Sequence, residues 1–318
     1  MRYRRLGRTD LQVSELGMGG LFVGSGGLES GVELIGRAVE LGIDFFDTAP
    51  SYRLGAEQPA SQEILGRALK GVRKRCYIAT KVGPSPIHER PRYDRDGIME
   101  QVERSLKQLG RDTIDILHIH DPDRYGDPDA PGSYHAVLGR GMALETLEEL
   151  KRQGVIGAIG LASLWLDYQA HCVASGRIDV VLTFNRYGLV WRDALFQLFP
   201  FCRRHDVGVV QGTPFHQGVL AVPHPEWVTA PPEWMTPEEH DRYRKLLEIQ
   251  SDSGLPLPEL ALRFLLSQPA IGAVIQGAAN VEQLEENCRY AARGPLPEEA
   301  QSRIEALGIL HEDPRRYI

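Results

Sequence analysis

Cys76-Tyr77-Ile78-Ala79-Thr80-Lys81-Val82 is a short apolar run that ends in a lysine, and Ile114-Asp115-Ile116-Leu117-His118-Ile119-His120-Asp121 is a second run carrying two histidines. Residues 97–109 between them have helical periodicity, so the three segments read as strand, helix, strand. The same unit recurs in both directions along the chain. Strand-like runs at 13–19, 43–49, 76–82, 114–121, 156–163, 179–186, 208–213 and 272–277 alternate with amphipathic segments at 31–41, 61–71, 97–109, 141–153, 165–175, 194–205, 257–266 and 281–292. Eight strand–helix units in 318 residues predict an α/β fold, a closed (β/α)8 TIM barrel of parallel strands. An open doubly wound sheet is the competing architecture. It lacks its G-x-G-x-x-G turn here, because Gly17-Met18-Gly19-Gly20 runs into Leu21-Phe22-Val23 and not into a helix. Residues 1–11, with an Arg-Thr-Asp turn, fit an N-terminal hairpin closing the barrel bottom. With no linker-like stretch, one domain from Met1 to Ile318 is expected.

Composition narrows the function. The chain has 36 Lys+Arg against 43 Asp+Glu, a net charge of −7, with 42% hydrophobic and 25% charged residues. That is a soluble globular composition without the basic footprint of a nucleic-acid binder or an apolar run long enough to span a membrane. Cys76, Cys172, Cys202 and Cys288 show no metal-ligand or Cys-x-x-Cys spacing, and the basic N-terminus has no apolar core or cleavage site. A reduced cytoplasmic setting and a small-molecule partner are the expectations; oligomeric state is left open. Two long connections, 122–138 and 214–256, would stand on the C-terminal face, where barrels build their active sites; a helix is expected at 237–252.

Which inward strand residues near that face are polar? Alternation puts Phe45 and Asp47 on one face of the second strand, Tyr77, Ala79 and Lys81 on one face of the third, and Ile116, His118 and His120 on one face of the fourth. Asp47 and Lys81 lie on neighbouring strands and can meet, and Tyr52 follows in the loop over the mouth. That grouping suits a tyrosine acid–base whose phenol is acidified by an ammonium that a carboxylate anchors. A plain Asp–Lys ion pair with a surface Tyr52 is the alternative. His-x-His also suggests a metal, but the fifth and sixth strands end in Ala162-Ser163 and Asn185-Arg186, without the further histidines of metal-dependent hydrolase barrels, so no metal is expected.

These residues resemble the aldo-keto reductase family. Phe45-Phe46-Asp47-Thr48-Ala49-Pro50-Ser51-Tyr52, followed by Ser61-Gln62-Glu63-Ile64-Leu65-Gly66-Arg67, is similar to its first signature. Thr80-Lys81-Val82-Gly83 is similar to its lysine strand and residues 114–122 to its histidine strand, the motifs running in family order from Leu6 to Asn287. The resemblance implies Asp47, Tyr52, Lys81 and His120 as catalytic residues. Within the family the look is of aldose 1-dehydrogenases, a group that includes L-fucose, D-threo-aldose and L-galactose dehydrogenases and related pyridoxal dehydrogenases.

The resemblance also implies a nicotinamide cofactor held by Ser163, Asn185, Gly212, Thr213, Pro214, Gly277, Ala279, Asn280, Gln283 and Asn287. Some positions depart from the family pattern. Ala162-Ser163 replaces Ser-Asn, and Gly212-Thr213-Pro214-Phe215 lacks the tyrosine that stacks on the ring. Ala279 and Gln283 stand where a lysine and an arginine usually clamp the 2′-phosphate of NADP. NAD is therefore expected ahead of NADP, unless Arg289 or Arg293 reaches that phosphate. The expected reaction is NAD(P)-dependent hydride transfer between an aldose and the nicotinamide. An NADPH-dependent reductase of small aldehydes or ketones, or a nucleotide-binding regulatory subunit without turnover, are the alternatives.

Overall fold

The computed structural model describes residues 1–310 apart from Ala56, Pro128, Asp129 and Pro131. The last eight residues of the expected domain, and three residues of the 122–138 connection, thus lie outside the described residues. Ten strands are formed by the described residues: β1 (Tyr3–Arg5), β2 (Gln12–Ser14), β3 (Leu16–Gly19), β4 (Phe45–Asp47), β5 (Tyr77–Val82), β6 (Ile114–His120), β7 (Ile156–Ala162), β8 (Val180–Phe184), β9 (Gly208–Gly212) and β10 (Ala273–Gln276). Strands β3 to β10 close into a barrel in sequence order, every neighbouring pair parallel, and β10 pairs back onto β3. Helices follow each barrel strand, beginning with Gly27–Glu40 and Ser61–Ala68 and ending with Val281–Ala292, so the fold is a (β/α)8 TIM barrel with an N-terminal hairpin.

The expected first strand over 13–19 is divided. Its front half pairs with β1 as the antiparallel hairpin, and its back half enters the barrel. The break falls at Ser14 and Glu15: the Ser14 amide donates to the Asp44 carboxylate and the Glu15 amide to the Arg2 carbonyl, so neither continues the parallel ladder. Leu6, from the hairpin turn, plugs the barrel's N-terminal end beside Gly208 and Gly272, where any β-carbon would collide with it. The expected 194–205 helix breaks at Leu198 into Ala194–Gln197 and Phe199–Arg204, as Pro200 lacks the amide that would carry the helix through. In the long connection after β9 the helix spans Pro237–Ser253, started by a Thr236–Glu239 capping box.

Alternation works as expected inside the barrel. Phe45, Ala79, Ile116, Ala158 and Val210 form the interior cluster, and the residue two positions on along each strand belongs to the next layer toward the mouth. In that layer Lys81 pairs in register with His118, and His118 with Gly160. The bare Cα of Gly160 makes room for the imidazole, since a β-carbon there would lie 2.2 Å from His118 Nδ1. We therefore expect Gly160→Ala to destabilise the protein by about 1–3 kcal/mol by overpacking. Thermal unfolding checks this, and on the His118→Ala background the same substitution should cost little further stability; an undiminished cost there would place the strain elsewhere.

Candidate active site

The C-terminal ends of β4, β5 and β6 bring Asp47, Lys81 and His120 to the mouth, and the loop after β4 carries Tyr52 over them. Lys81 Nζ donates to Asp47 Oδ1 at 2.7 Å and Oδ2 at 2.6 Å and to the Thr48 carbonyl at 2.8 Å, so its three protons are committed. Both side chains of the pair are 1% exposed. Burial pushes the Asp47 carboxyl up and the Lys81 ammonium down, and their mutual attraction opposes both shifts. The strand behind Lys81 is held from outside, because Gln62 Nε2 donates to Thr80 Oγ1 at 2.8 Å and to Ser105 Oγ at 2.9 Å.

Tyr52 is half-buried, its backbone pinned by hydrogen bonds to the Ala49 carbonyl and from the Ser61 amide. Lys81 Nζ stands 4.6 Å from the centre of its ring, and the His120 ring meets it edge-on at 6.1 Å between centroids. The four residues expected to act together are therefore adjacent. The expected acidification of the phenol is not what these charges produce: burial first, then the carboxylates of Asp47 and Asp121, push Tyr52 well above the usual phenol value. Lys81 is already neutralised by Asp47 at contact distance, so little of its field is left for the phenol.

His120 is 13% exposed, its backbone carbonyl accepting a hydrogen bond from the Tyr93 hydroxyl at 2.7 Å. Burial, then Lys81 and Arg124, push its imidazole well below the ordinary histidine value and keep it neutral. His118 is fully buried one layer down, and neither of its ring nitrogens has a partner among the described residues. Two contributors escaped the sequence reading. Tyr93 sits in a loop with no periodicity to expose it. Asp121 was visible next to His120 but was read only as the end of a strand; its carboxyl is pushed up to about 7 by burial and by Asp123.

Around the same mouth, β7 and β8 present Ser163 and Asn185, both buried. Both polar atoms of the Asn185 side-chain amide have no partner among the described residues, and the Ser163 hydroxyl interacts with the Asp123 carboxyl. A buried amide without partners is costly unless a ligand completes it, and this set fits the carboxamide of a nicotinamide, which offers a donor and an acceptor. Asn185 takes a left-handed conformation (φ 59°), and its amide donates to Thr213 Oγ1 at 2.7 Å, which ties the β8 end to the Gly212-Thr213-Pro214 turn after β9. Gly212 leaves that turn without a ring to stack.

Gly277, Ala279, Asn280 and Gln283 gather where β10 runs into the last barrel helix. Asn280 caps that helix, its Oδ1 accepting from the Gln283 amide at 2.9 Å, and Gln283 Oε1 accepts from the Ala279 amide at 2.9 Å. Asn287 is buried, and its amide nitrogen donates to Gln276 Oε1 at 2.7 Å, so part of its bonding capacity serves the fold. Arg293 pairs with Glu259, and Arg289 lines a cavity with Met1 and Arg2 near the hairpin, so neither is directed at Ala279. Cys76, Cys172 and Cys202 are buried, and Cys288 partly so, all as free thiols. Among the described residues no helix is long and apolar enough to cross a membrane, and no three His, Cys, Asp or Glu side chains are grouped to hold a metal.

The parallel eight-stranded barrel carries an ion-paired lysine, a tyrosine and a histidine at its mouth, and the chain belongs to the aldo/keto reductase family, whose profile matches residues 15–309. Enzymes of this family use nicotinamide cofactors. The chain is similar to L-galactose dehydrogenase of Arabidopsis thaliana, 30% identical over 321 residues covering 97% of this chain and 91% of the relative. It is also similar to D-threo-aldose 1-dehydrogenase of a Pseudomonas species, 29% identical over 279 residues covering 80% and 81%. Among solved structures, the holo form of an aldo-keto reductase from Bacillus halodurans superposes with a TM-score of 0.79 at 28% identity, covering 98% of this chain and 99% of that one.

Proposed function

We propose that the protein is an NAD(P)-dependent aldose 1-dehydrogenase, exchanging hydride between the anomeric carbon of an aldose and the nicotinamide, with NAD preferred. The observation that carries the reading is the buried Asp47–Lys81 pair lying beneath Tyr52 and beside His120. A bound nicotinamide supplies the hydride acceptor for oxidation and the donor for reduction. Ser163 and Asn185 would hold its carboxamide, the Gly212-Thr213-Pro214 turn would border it, and residues 277–287 would take the adenosine end. Tyr52 takes the proton of the reacting oxygen in oxidation, as phenolate, and returns it in reduction, as phenol; Lys81, anchored by Asp47, is the cation beside its ring, and neutral His120 orients the oxygen.

A second reading, reduction of small aldehydes or ketones with NADPH, uses the same residues, with Tyr52 in the protonated form that its raised phenol favours. A panel of aldoses and simple aldehydes, followed by the absorbance of reduced cofactor with both NAD and NADP, separates the two. Turnover confined to aldehydes with NADPH overturns the aldose assignment. Cofactor binding without any turnover points to the regulatory subunit.

Support for NAD comes from the neutral lining at Ala279 and Gln283, whose nearby amides are already capped, and from Arg289 and Arg293 being directed elsewhere. Losing one or two charge-assisted hydrogen bonds of about 1.5–3 kcal/mol each is expected to cost NADP affinity at least about tenfold relative to family members that carry the lysine and arginine, which leaves NAD preferred. Dissociation constants for both oxidised cofactors check this. Tighter NADP binding overturns it; if NAD is preferred, Ala279→Lys should shift selectivity toward NADP.

A further inference from the structure

Asp121 follows His120 at the end of β6 in a left-handed conformation (φ 46°, ψ 43°). Pro122 keeps the residue before it out of the right-handed helical region, and aspartate is among the few side chains that tolerate the left-handed one. In that turn the carboxylate lies beside the imidazole, Oδ2 4.0 Å from His120 Nε2. The separation is too long for a hydrogen bond, so Asp121 does not hold the ring by one. Its other oxygen, Oδ1, is buried and without a partner among the described residues. Several nearby donors are spent, Lys81 on Asp47 and Thr48, the Tyr93 hydroxyl on the His120 carbonyl, and the Leu164 and Trp165 amides on Asp123, while Arg124 acts on the Asp121 carboxyl through its charge. A buried carboxylate oxygen left unbonded is costly unless something entering the site bonds it.

We propose that Asp121 is a specificity-determining residue whose carboxylate binds the hydroxyl on the carbon next to the reacting one, selecting aldoses and other 2-hydroxy aldehydes over plain aldehydes. The inference rests on the proposed hydride-transfer site: with the reacting oxygen at His120 Nε2, a group 4.0 Å from that nitrogen is placed for the oxygen on the adjacent carbon. A plain aldehyde leaves the carboxylate unbonded and forfeits the interaction, which is how sites built to bond a hydroxyl reject analogues without it.

The test compares 2-hydroxypropanal with propanal, reduced in the presence of NADH and NADPH, in the wild-type protein and in Asp121→Leu and Asp121→Asn. Wild type is expected to prefer 2-hydroxypropanal at least tenfold in kcat/KM. Asp121→Leu should remove that preference, the loss falling on KM for the hydroxylated substrate more than on kcat. Asp121→Asn, which keeps the shape, the tolerance of the left-handed turn and an accepting oxygen, should retain part of it. A wild type that does not discriminate, or an Asp121→Leu protein with the wild-type ratio, overturns this inference alone. No turnover of either aldehyde while an aldose is oxidised overturns this inference alone, and no turnover of aldehydes or aldoses removes the proposed function and this inference with it.

Discussion

Tyr52→Phe is expected to lower kcat by about 10²–10⁴-fold, the usual contribution of a general acid–base, while cofactor affinity and thermal stability stay near wild type. The contacts that place the residue belong to its ring and backbone: the ring over the Lys81 ammonium and edge-on to the His120 ring, the backbone bonded to Ala49 and Ser61. Phenylalanine keeps all of these and removes only the hydroxyl. Steady-state turnover on the best aldose or aldehyde, with the cofactor dissociation constant beside it, reads the split. A variant with more than half the wild-type kcat would show that Tyr52 does not carry the proton.

The second large effect separates the two histidines. His120→Ala should lower kcat/KM by about a hundredfold or more, because its neutral imidazole stands at the mouth where the reacting oxygen binds. His118→Ala should leave kcat/KM close to wild type and act on stability. Its imidazole is sealed in the layer below, packed over Gly160, and truncation opens a cavity. The cavity outweighs the relief from removing two unbonded ring nitrogens, for a net loss of about 1–3 kcal/mol. Kinetics and thermal unfolding of both variants check the division. Equal kinetic damage from the two, or activity lost to a chelator and restored by zinc, would reverse it in favour of a metal.

Much of this site was legible in the chain because strand periodicity is local. Once residues 76–82 and 114–121 are strands of a closed parallel barrel, alternation alone sends Lys81, His118 and His120 inward, and the mouth end follows from chain direction. Asp47 beside Lys81 needs only neighbouring strands. The broken first strand was less legible, because residues 13–19 are uniformly β-forming. What divides them is the Ser14–Asp44 and Arg2–Glu15 hydrogen bonding, which comes from distant parts of the chain.

The sequence by itself determined the barrel, its chain direction and the row of polar residues at the strand ends, since each depends on spacing within one strand or between consecutive ones. Only the tertiary structure decided how those residues are charged and which bonds remain open. The Tyr52 phenol is pushed up because its ionisation answers to burial and to the carboxylates of Asp47 and Asp121 at two different strand ends, with Lys81 already committed to Asp47. Asn185 and Asp121 stand out for the partners they lack among the described residues, and a missing partner can be recognised only once the neighbouring donors and acceptors have been placed.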